Sequence, residues 1–252
     1  MGAVCGGGDK ADDTNPSQGA PVAQKVTKPK KMVVYGDYFN SDTRTVVTLL
    51  SLGDISYELK TVDMLQGKHK ELEYLNVNPV GSVPLIVDQD AKVLGNTPVL
   101  VNYLCNTKSK LRQFLPKEHG EKTHQYMTWF SVVLKPAVAR LVKVMIGPKA
   151  FGLTPFSGEE IEEAKTALFQ DILARVDAML DKKAYLCTMN EPTAVDVMFY
   201  SEISTAIMLT NIKAMKKQFP NLIRWITNLN DFDQFSEMDE KLVKIIEEHE
   251  LI

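Results

Sequence analysis

Cysteine is the most reactive residue type in this chain, and its three copies lie far apart. Cys5, Cys105 and Cys187 are odd in number and include no Cys-x-x-Cys pair. A disulfide framework needs paired cysteines and a zinc site needs closely spaced ligands, so the sequence predicts neither. Cys105 and Cys187 lie in apolar helical surroundings, where we expect small core residues rather than nucleophiles. This pattern argues against redox chemistry by a protein thiol and predicts no metal site.

Polar residues that precede an apolar helical pattern are the second group with a definite chemical role. Ser41 and Asp42 follow a short apolar run over residues 32–35 and precede a helical pattern that reaches residue 53. Side-chain oxygens of Ser and Asp accept hydrogen bonds from the first free N–H groups of a helix. We therefore expect one of these two residues to be a helix N-cap.

The elements around these residues alternate between strands and helices as far as residue 108. Apolar runs bounded by turn residues predict strands, and apolar positions spaced three or four apart predict helices. The predicted strands are 32–35, 57–62, 83–87 and 92–94, and the predicted helices are 41–53, 66–75 and 98–105. This order, βαβ-α-ββα, implies one parallel crossover and one antiparallel hairpin.

Strand patterns stop after about residue 108, and the rest of the chain is helical. The predicted helices are 125–144, 157–181, 194–209, 212–217, 222–228 and 237–248. Pro136 predicts a kink in the first of them, and the S-x-x-E spacing of Ser157 and Glu160 predicts a capping box at the start of the second. The fold class is an α/β domain at 32–108, followed by an all-α domain at 118–252.

The first 31 residues contain no aromatic residue, leucine or isoleucine. Such a segment cannot bury enough apolar surface to offset its ordering entropy, so we expect a disordered extension. Its start, Met-Gly-Ala-Val-Cys, resembles dually acylated proteins, with Gly2 for myristate and Cys5 for palmitate, although Gly6 replaces the usual Ser or Thr. A plain disordered leader is the alternative reading.

Charge and hydropathy exclude several classes of protein. Lys plus Arg is 29 against 32 Asp plus Glu, a net charge of −3, which argues against a nucleic-acid binder. No apolar run approaches the ~20 residues that span a bilayer, and the start of the chain lacks a secretory signal. We expect a cytoplasmic protein, with peripheral membrane association if the leader is acylated.

Four segments resemble the glutathione transferase family. Residues 78–84 (NPVGSVP) resemble the family's NPxGxVP segment, in which the proline is cis, and residues 61–70 (TVDMLQGKHK) resemble the theta class. Residues 191–196 (EPTAVD) and 219–225 (FPNLIRW) resemble two elements of the family's helical domain. The resemblance runs from about residue 32 to residue 235 and implies a thioredoxin-like N-terminal domain.

The resemblance also implies a function and a site. Family members transfer the thiolate of glutathione, their co-substrate, to an apolar electrophile without a metal ion, and they form homodimers. The implied catalytic residue is Asn40 or, failing that, Ser41; the implied glutathione-binding residues are His69, Lys70, Ser82, Val83, Pro84, Asn96 and Thr97. Thr193 and Asp196 are expected to form a capping box at the start of the core helix.

Three of these positions depart from the family pattern. Asn40 stands in place of a catalytic serine, Asn96 in place of an acidic residue, and Ser82 in place of a lysine. A thiol with a pKa near 8.5 needs a shift of about 1.5 units, or about 2 kcal/mol, to be half ionised at pH 7. One hydrogen bond to a charged acceptor supplies about 1.5–3 kcal/mol, so an asparagine amide is sufficient. The alternative is a non-catalytic interaction module on the same fold.

Overall fold

The computed structural model of the chain describes residues 28–210 and 215–252. Most of the predicted extension at 1–31, with Gly2 and Cys5, therefore lies outside the described residues. The first strand begins at Met32, as predicted. Short 3-10 turns at Ser109–Phe114 and Lys117–His119 connect the α/β part to the helical part. The domain limits of 32–108 and 118–252, as independent folding units, stay a prediction.

Four strands form one mixed sheet in the order β2-β1-β3-β4. The strands are β1 (Met32–Gly36), β2 (Tyr57–Thr61), β3 (Leu85–Val87) and β4 (Val93–Gly95). β1 and β2 are parallel, and β3 is antiparallel to both of its neighbours, β1 and β4. The parallel crossover and the hairpin predicted from the sequence are both confirmed.

Two helices cover the inner face of the sheet. α1 (Ser41–Leu52) and α3 (Thr97–Thr107) pack on the strand side chains that alternate inward. Val34 and Ile86, from the two central strands, and Leu49 and Leu104, from the two helices, are all fully buried in one cluster. This cluster continues into the helical part of the chain, so one hydrophobic core joins sheet and helices.

The segment over residues 66–75 differs from the single helix predicted there. It forms a 3-10 turn at Lys68–Lys70 and a four-residue helix, α2 (Leu72–Leu75), with Glu71 in an extended conformation between them. Only Tyr74 is buried in these two elements. Because the segment has so few apolar anchors, packing does not enforce a continuous helix.

The helical part contains eight α-helices in the described residues. They are α4 (Gly120–Trp129), α5 (Lys135–Phe151), α6 (Gly158–Thr166), α7 (Ala174–Met179), α8 (Ala194–Thr210), α9 (Met215–Gln218), α10 (Pro220–Asn230) and α11 (Asp233–Glu248). The capping box of Ser157 and Glu160 is confirmed, with both reciprocal hydrogen bonds present. Of the helix predicted at 212–217, the first residues lie outside the described part of the chain.

Two of the predicted long helices contain a π turn. Phe130–Leu134 joins α4 to α5, and Ala167–Leu173 joins α6 to α7. Pro136 follows the first π turn closely, and since proline has no N–H it cannot donate to the carbonyl four residues earlier. The structure has a π turn just before Pro136, and the helical run extends from Gly120 to Phe151. The kink itself stays a prediction.

Asp196 in α8 joins two segments that the sequence analysis treated as separate motifs. Its carboxylate accepts from the N–H (2.8 Å) and hydroxyl (2.7 Å) of Thr193 and from the N–H of Leu186 (2.8 Å). It also accepts from the indole N–H of Trp225 in α10 (2.8 Å). The predicted capping pair is present, but the threonine hydroxyl donates to the carboxylate. Residues 191–196 and 219–225 therefore meet at one buried carboxylate.

Replacing this carboxylate with an amide is expected to destabilise the fold strongly. Asp196→Asn presents an NH₂ group to donors that need an acceptor, and each buried unsatisfied donor costs about 1–3 kcal/mol. We expect the free energy of unfolding in urea to fall by about 2–4 kcal/mol. The matched control is Asp181→Asn, an exposed residue, with an expected change within about 0.5 kcal/mol. Equal stability of the two variants would contradict this assignment.

Candidate functional site

Three loops that carry predicted site residues leave the sheet at the same edge. Tyr35 near the end of β1 pairs with Leu85 at the start of β3, and Leu85 pairs with Gly95 at the end of β4. Neighbouring strands lie about 4.8 Å apart, so the row spans about 10 Å. The register therefore brings together the residues that follow β1, precede β3 and follow β4.

Asn40 is the N-cap of α1, a role that the sequence analysis gave to Ser41 or Asp42. Its Oδ1 accepts from the backbone N–H (2.9 Å) and the hydroxyl (3.2 Å) of Thr43. A backbone N–H only donates, so the amide is oriented with its oxygen toward the helix. The NH₂ group then faces away from the helix, and within the described residues it has no hydrogen-bond partner. Capping thus leaves a donor available beside the end of β1.

Ser41 faces the helical domain instead. Its hydroxyl donates to the carboxylate of Glu202 in α8 at 2.5 Å. Glu202 is buried, and desolvation raises the pKa of its carboxyl while Lys135, Ser41 and Arg44 oppose that shift. A hydroxyl whose only proton is held by this carboxylate is not available to a second acceptor on the other side of the loop.

Asp37 fixes the loop that carries Asn40, and sequence reasoning did not identify it. Its carboxylate accepts from the N–H of Asn40 (3.1 Å) and from the N–H of Met64 (2.8 Å). Burial raises the pKa of Asp37, and the backbone hydrogen bonds from Met64, Asn40 and Phe39 oppose this rise. A lone aspartate after a strand carries no distinctive sequence signal, because its partner at residue 64 depends on the fold.

The peptide bond between Val83 and Pro84 is cis, as the resemblance implied. The preceding carbonyl, of the exposed Ser82, accepts from the hydroxyl of Tyr74 (2.6 Å) and the side-chain amide of Asn78 (2.6 Å). In the part of the chain that the structure describes, neither the N–H nor the C=O of Val83 has a hydrogen-bond partner. The loop is anchored one residue before this backbone, which remains available for pairing with an extended peptide.

His69 and Lys70 lie beside that loop. Gly81 has φ +68, and a side chain there would place its Cβ 3.0 Å from the carbonyl oxygen of His69. His69 is half-buried and Lys70 is exposed. Burial and the charge of Lys70 lower the pKa of His69, and the Nδ1 atom is buried without a partner among the described residues. The imidazole is therefore neutral at pH 7 and is next to the Val83 loop.

Asn96 and Thr97 form the N-terminus of α3 at the same sheet edge. Asn96 is exposed, has φ +70, and makes no side-chain cap bond to the helix. Thr97 is buried, and its hydroxyl has no hydrogen-bond partner within the described residues. A buried hydroxyl without a partner is costly, and uncapped N–H groups of a helix attract anions. This helix end has the properties of a carboxylate-binding site.

An apolar cluster closes over the residue that precedes Asn40. Phe39 is buried with Leu242 and Ile246 of α11, and Leu251 at the C-terminus packs in the same cluster. The remaining buried members are Ile146 and Leu209. Apolar side chains of α5, α8 and α11 therefore pack in the same cluster as Phe39, next to the loop that carries Asn40.

The two cysteines in the described residues are core residues, as predicted. Both Cys105 and Cys187 are buried. Burial raises the pKa of the Cys105 thiol to about 12 and also raises that of Cys187. Neither is a thiolate at neutral pH, so neither is a nucleophile.

The described residues offer neither a metal site nor a membrane-spanning helix. Over 28–210 and 215–252 the structure has no group of three or more His, Cys, Asp or Glu side chains arranged to hold a metal ion. In that part of the chain, too, every helix is too short or too polar to cross a bilayer.

Comparison with known proteins finds similarity to glutathione transferases. Residues 43–107 match the family model described as glutathione S-transferase, N-terminal domain. Glutathione S-transferase F10 of Arabidopsis thaliana is 29% identical over 161 residues, which cover 62% of this chain and 72% of the relative. Human glutathione S-transferase theta-2 is 23% identical over 175 residues, covering 69% and 70%. The chain is therefore similar to glutathione transferases, and the match to their N-terminal domain lies in its α/β part.

Solved structures of glutathione transferases share the fold of this chain. Human theta-2, in a complex with glutathione and an unknown ligand, superposes with a TM-score of 0.76 at 21% identity, covering 86% of this chain and 90% of that one. The Phanerochaete chrysosporium transferase URE2P8, with oxidized glutathione, gives 0.76 at 15% identity, covering 88% and 99%. Relatives with F names and with theta names both match, so the comparisons do not point to the theta class in particular.

Proposed function

We propose that this chain is a glutathione transferase, which binds glutathione along the sheet edge and transfers its thiolate to apolar electrophiles, as a theta-like detoxification enzyme. The observation that carries the proposal is a row of polar groups without partners in the described residues. These are the amide NH₂ of Asn40, the backbone of Val83 and the hydroxyl of Thr97. The Thr97 hydroxyl is buried, and buried polar groups are normally satisfied, so its place beside the other two groups points to a polar ligand that pairs with all three.

The γ-glutamyl end of glutathione is assigned to the start of α3. Its carboxylate accepts from the Thr97 hydroxyl and from the free N–H groups of the helix, where the helix dipole also favours negative charge. Asn96, beside it, offers an amide to the same group. An acidic residue here would bind the ligand's ammonium group by charge, so the uncharged Asn96 weakens that part of the binding.

The rest of the tripeptide follows the Val83 loop. The N–H and C=O of Val83, held before Pro84, pair with the cysteinyl backbone in the manner of an added strand. The glycyl carboxylate then lies toward His69 and Lys70, with Ser82 at the exposed rim of the loop. Lys70 supplies the charge and His69 a hydrogen bond.

We assign stabilisation of the thiolate to Asn40, because its oxygen caps α1 and its amide NH₂ therefore faces away from the helix, beside the end of β1. A hydrogen bond from this NH₂ to the sulfur supplies about 1.5–3 kcal/mol, enough to lower the thiol pKa toward neutral pH. Ser41 is the weaker candidate, because Glu202 holds its proton.

A second candidate function, a transferase-fold module without rapid turnover, is favoured by the packing around Phe39. Side chains of α11 and Leu251 fill the space beside the loop that carries Asn40. An apolar electrophile has to displace part of this cluster to reach the sulfur. The two candidates share glutathione binding and differ in turnover with an electrophile.

Titration with glutathione tests the site directly. We expect binding in the micromolar to low millimolar range by isothermal titration calorimetry. Thr97→Val is expected to weaken binding about tenfold, because it removes a hydrogen bond to a carboxylate. The control is Thr107→Val, an exposed threonine at the other end of α3. No heat of binding from folded wild-type protein would refute the enzyme hypothesis and favour the interaction module.

Two substitutions at residue 40 separate its role as N-cap of α1 from its proposed role as hydrogen-bond donor to the thiolate. Asn40→Asp keeps an acceptor for Thr43 but replaces the NH₂ with a carboxylate oxygen that repels a thiolate. We expect it to raise the pKa of bound glutathione by about 1 unit or more, while Asn40→Ser retains both roles. The measurement is the thiolate absorbance of bound glutathione against pH. An unchanged pKa in Asn40→Asp would remove Asn40 from the mechanism.

We propose a homodimer, as in the family. Val99 of α3 and Val132 of the first π turn are exposed apolar side chains, 49% and 66% accessible, of the kind that partner surfaces cover. Light scattering is expected to give twice the mass of one chain. Val99→Lys combined with Val132→Lys is expected to lower it; a monomeric wild type would contradict the proposal.

We also propose acylation of Gly2 and Cys5, which attaches a cytoplasmic protein to membranes. Both residues lie outside the described part of the chain, and the sequence pattern alone supports this proposal. Two acyl chains give stable anchoring, whereas one gives only reversible binding. Gly2→Ala is expected to abolish incorporation of a labelled myristate in cells and to shift the protein to the soluble fraction. Labelling that persists in Gly2→Ala would refute it.

A further inference from the structure

Arg44 in α1 is a fully buried cation that the proposed chemistry does not use. One end of its guanidinium donates to the carbonyls of Tyr38 (2.7 Å) and Phe39 (2.9 Å). The other end donates to the carbonyl of Ser201 (2.6 Å) and the hydroxyl of Thr205 (2.6 Å), both in α8. One side chain thus connects the loop after β1 to the central helix of the helical domain.

The surroundings of Arg44 keep it charged. Burial lowers the pKa of its guanidinium to about 10, and the negative groups Asp239, Glu202 and Asp37 oppose this decrease. These groups come from α11, α8 and the loop itself, while Lys135 of α5 pairs with Asp42. A buried guanidinium needs such compensation, and its planar fork holds its acceptors in a fixed geometry.

The two carbonyls that Arg44 holds directly precede Asn40. On the other side of the same residue, Asp37 accepts from its N–H at 3.1 Å. We propose that Arg44 is a positioning residue, which fixes the backbone of Tyr38 and Phe39 against α8 and so aims the Asn40 amide at the sulfur of glutathione. This inference rests on the proposed function.

The physical reason is the directionality of hydrogen bonds. Their strength falls steeply as the donor angle decreases toward ~120°, so a donor on a loosened loop stabilises a thiolate less. The four hydrogen bonds of Arg44 go to the loop after β1 and to α8, and not to the groups on α3 and beside Val83 that are assigned to the two carboxylates of glutathione. Weakening the hydrogen bonds by which Arg44 joins the loop to α8 (the Arg44 clamp) should therefore change the pKa of the bound thiol and leave the affinity for the tripeptide nearly unchanged.

Two variants weaken the hydrogen bonds of Arg44, one on each side of the contact. Thr205→Val removes one acceptor in α8 at nearly constant volume. Arg44→Lys keeps the positive charge but replaces the planar guanidinium, so it cannot hold all four acceptors. The matched control is Thr227→Val, an exposed threonine of α10 that donates to Ile223. Three quantities are measured on each protein: amide hydrogen exchange over residues 38–43, the dissociation constant of glutathione, and the pKa of the bound thiol.

We expect both variants to exchange the amides of Asn40 and Thr43 about tenfold faster than the control. We expect the pKa of the bound thiol to rise by about 0.5–1 unit, with the dissociation constant within about twofold of wild type. A merely structural role would move affinity and stability together without a selective shift in thiol pKa.

The outcomes separate the two hypotheses. If the wild type binds glutathione and Thr205→Val leaves both exchange and thiol pKa unchanged, the positioning role is wrong and the proposed function stands. If the folded wild type binds no glutathione, the proposed function falls and the positioning role falls with it. Should Arg44→Lys fail to fold, Thr205→Val alone decides.

Discussion

The buried guanidinium between α1 and α8 constrains everything built around the end of β1. A charge inside a protein is tolerated only when hydrogen bonds and opposite charges surround it, so the helices that supply them cannot shift independently. Arg44 takes two acceptors from the loop after β1 and two from α8. The sheet edge and the helical domain are consequently one rigid unit at this point, even though they are separate in sequence.

Around that contact, satisfied and unsatisfied polar groups are separated in space. Asp37, Tyr74 and Asn78 have partners, and they hold the backbone next to Asn40 and Val83. The groups at the edge itself, among them Thr97 and His69, have none in the described residues. Buried polar groups without a partner are rare in folded proteins, and they are typical of sites that bind a polar ligand. Here the hydrogen-bonded side chains hold the backbone that carries the groups without partners.

In the proposed enzyme, the same arrangement would limit turnover. Phe39 packs in one apolar cluster with Leu242 and Ile246 of α11, directly beside the loop that carries Asn40. In the proposed site, Asn96 would leave the γ-glutamyl end without a charged partner, while Val83 offers its backbone and Thr97 its hydroxyl. Binding of the tripeptide would then depend mainly on backbone groups and a helix end, which tolerate sequence change better than a charged pair does.

The order of strands and helices, the capping box at Ser157, the cis bond before Pro84 and the core location of Cys105 could all be predicted from the sequence. Each of these follows from local periodicity or from a short motif. Asn40 rather than Ser41 caps α1, although its cap bond to Thr43 is local. That Ser41 and Arg44 face α8 follows only from the tertiary packing, because their partners Ser201, Glu202 and Thr205 lie 157 to 161 residues away. A local pattern gives a side chain's chemistry, but which group it meets is set by how α8 packs on α1.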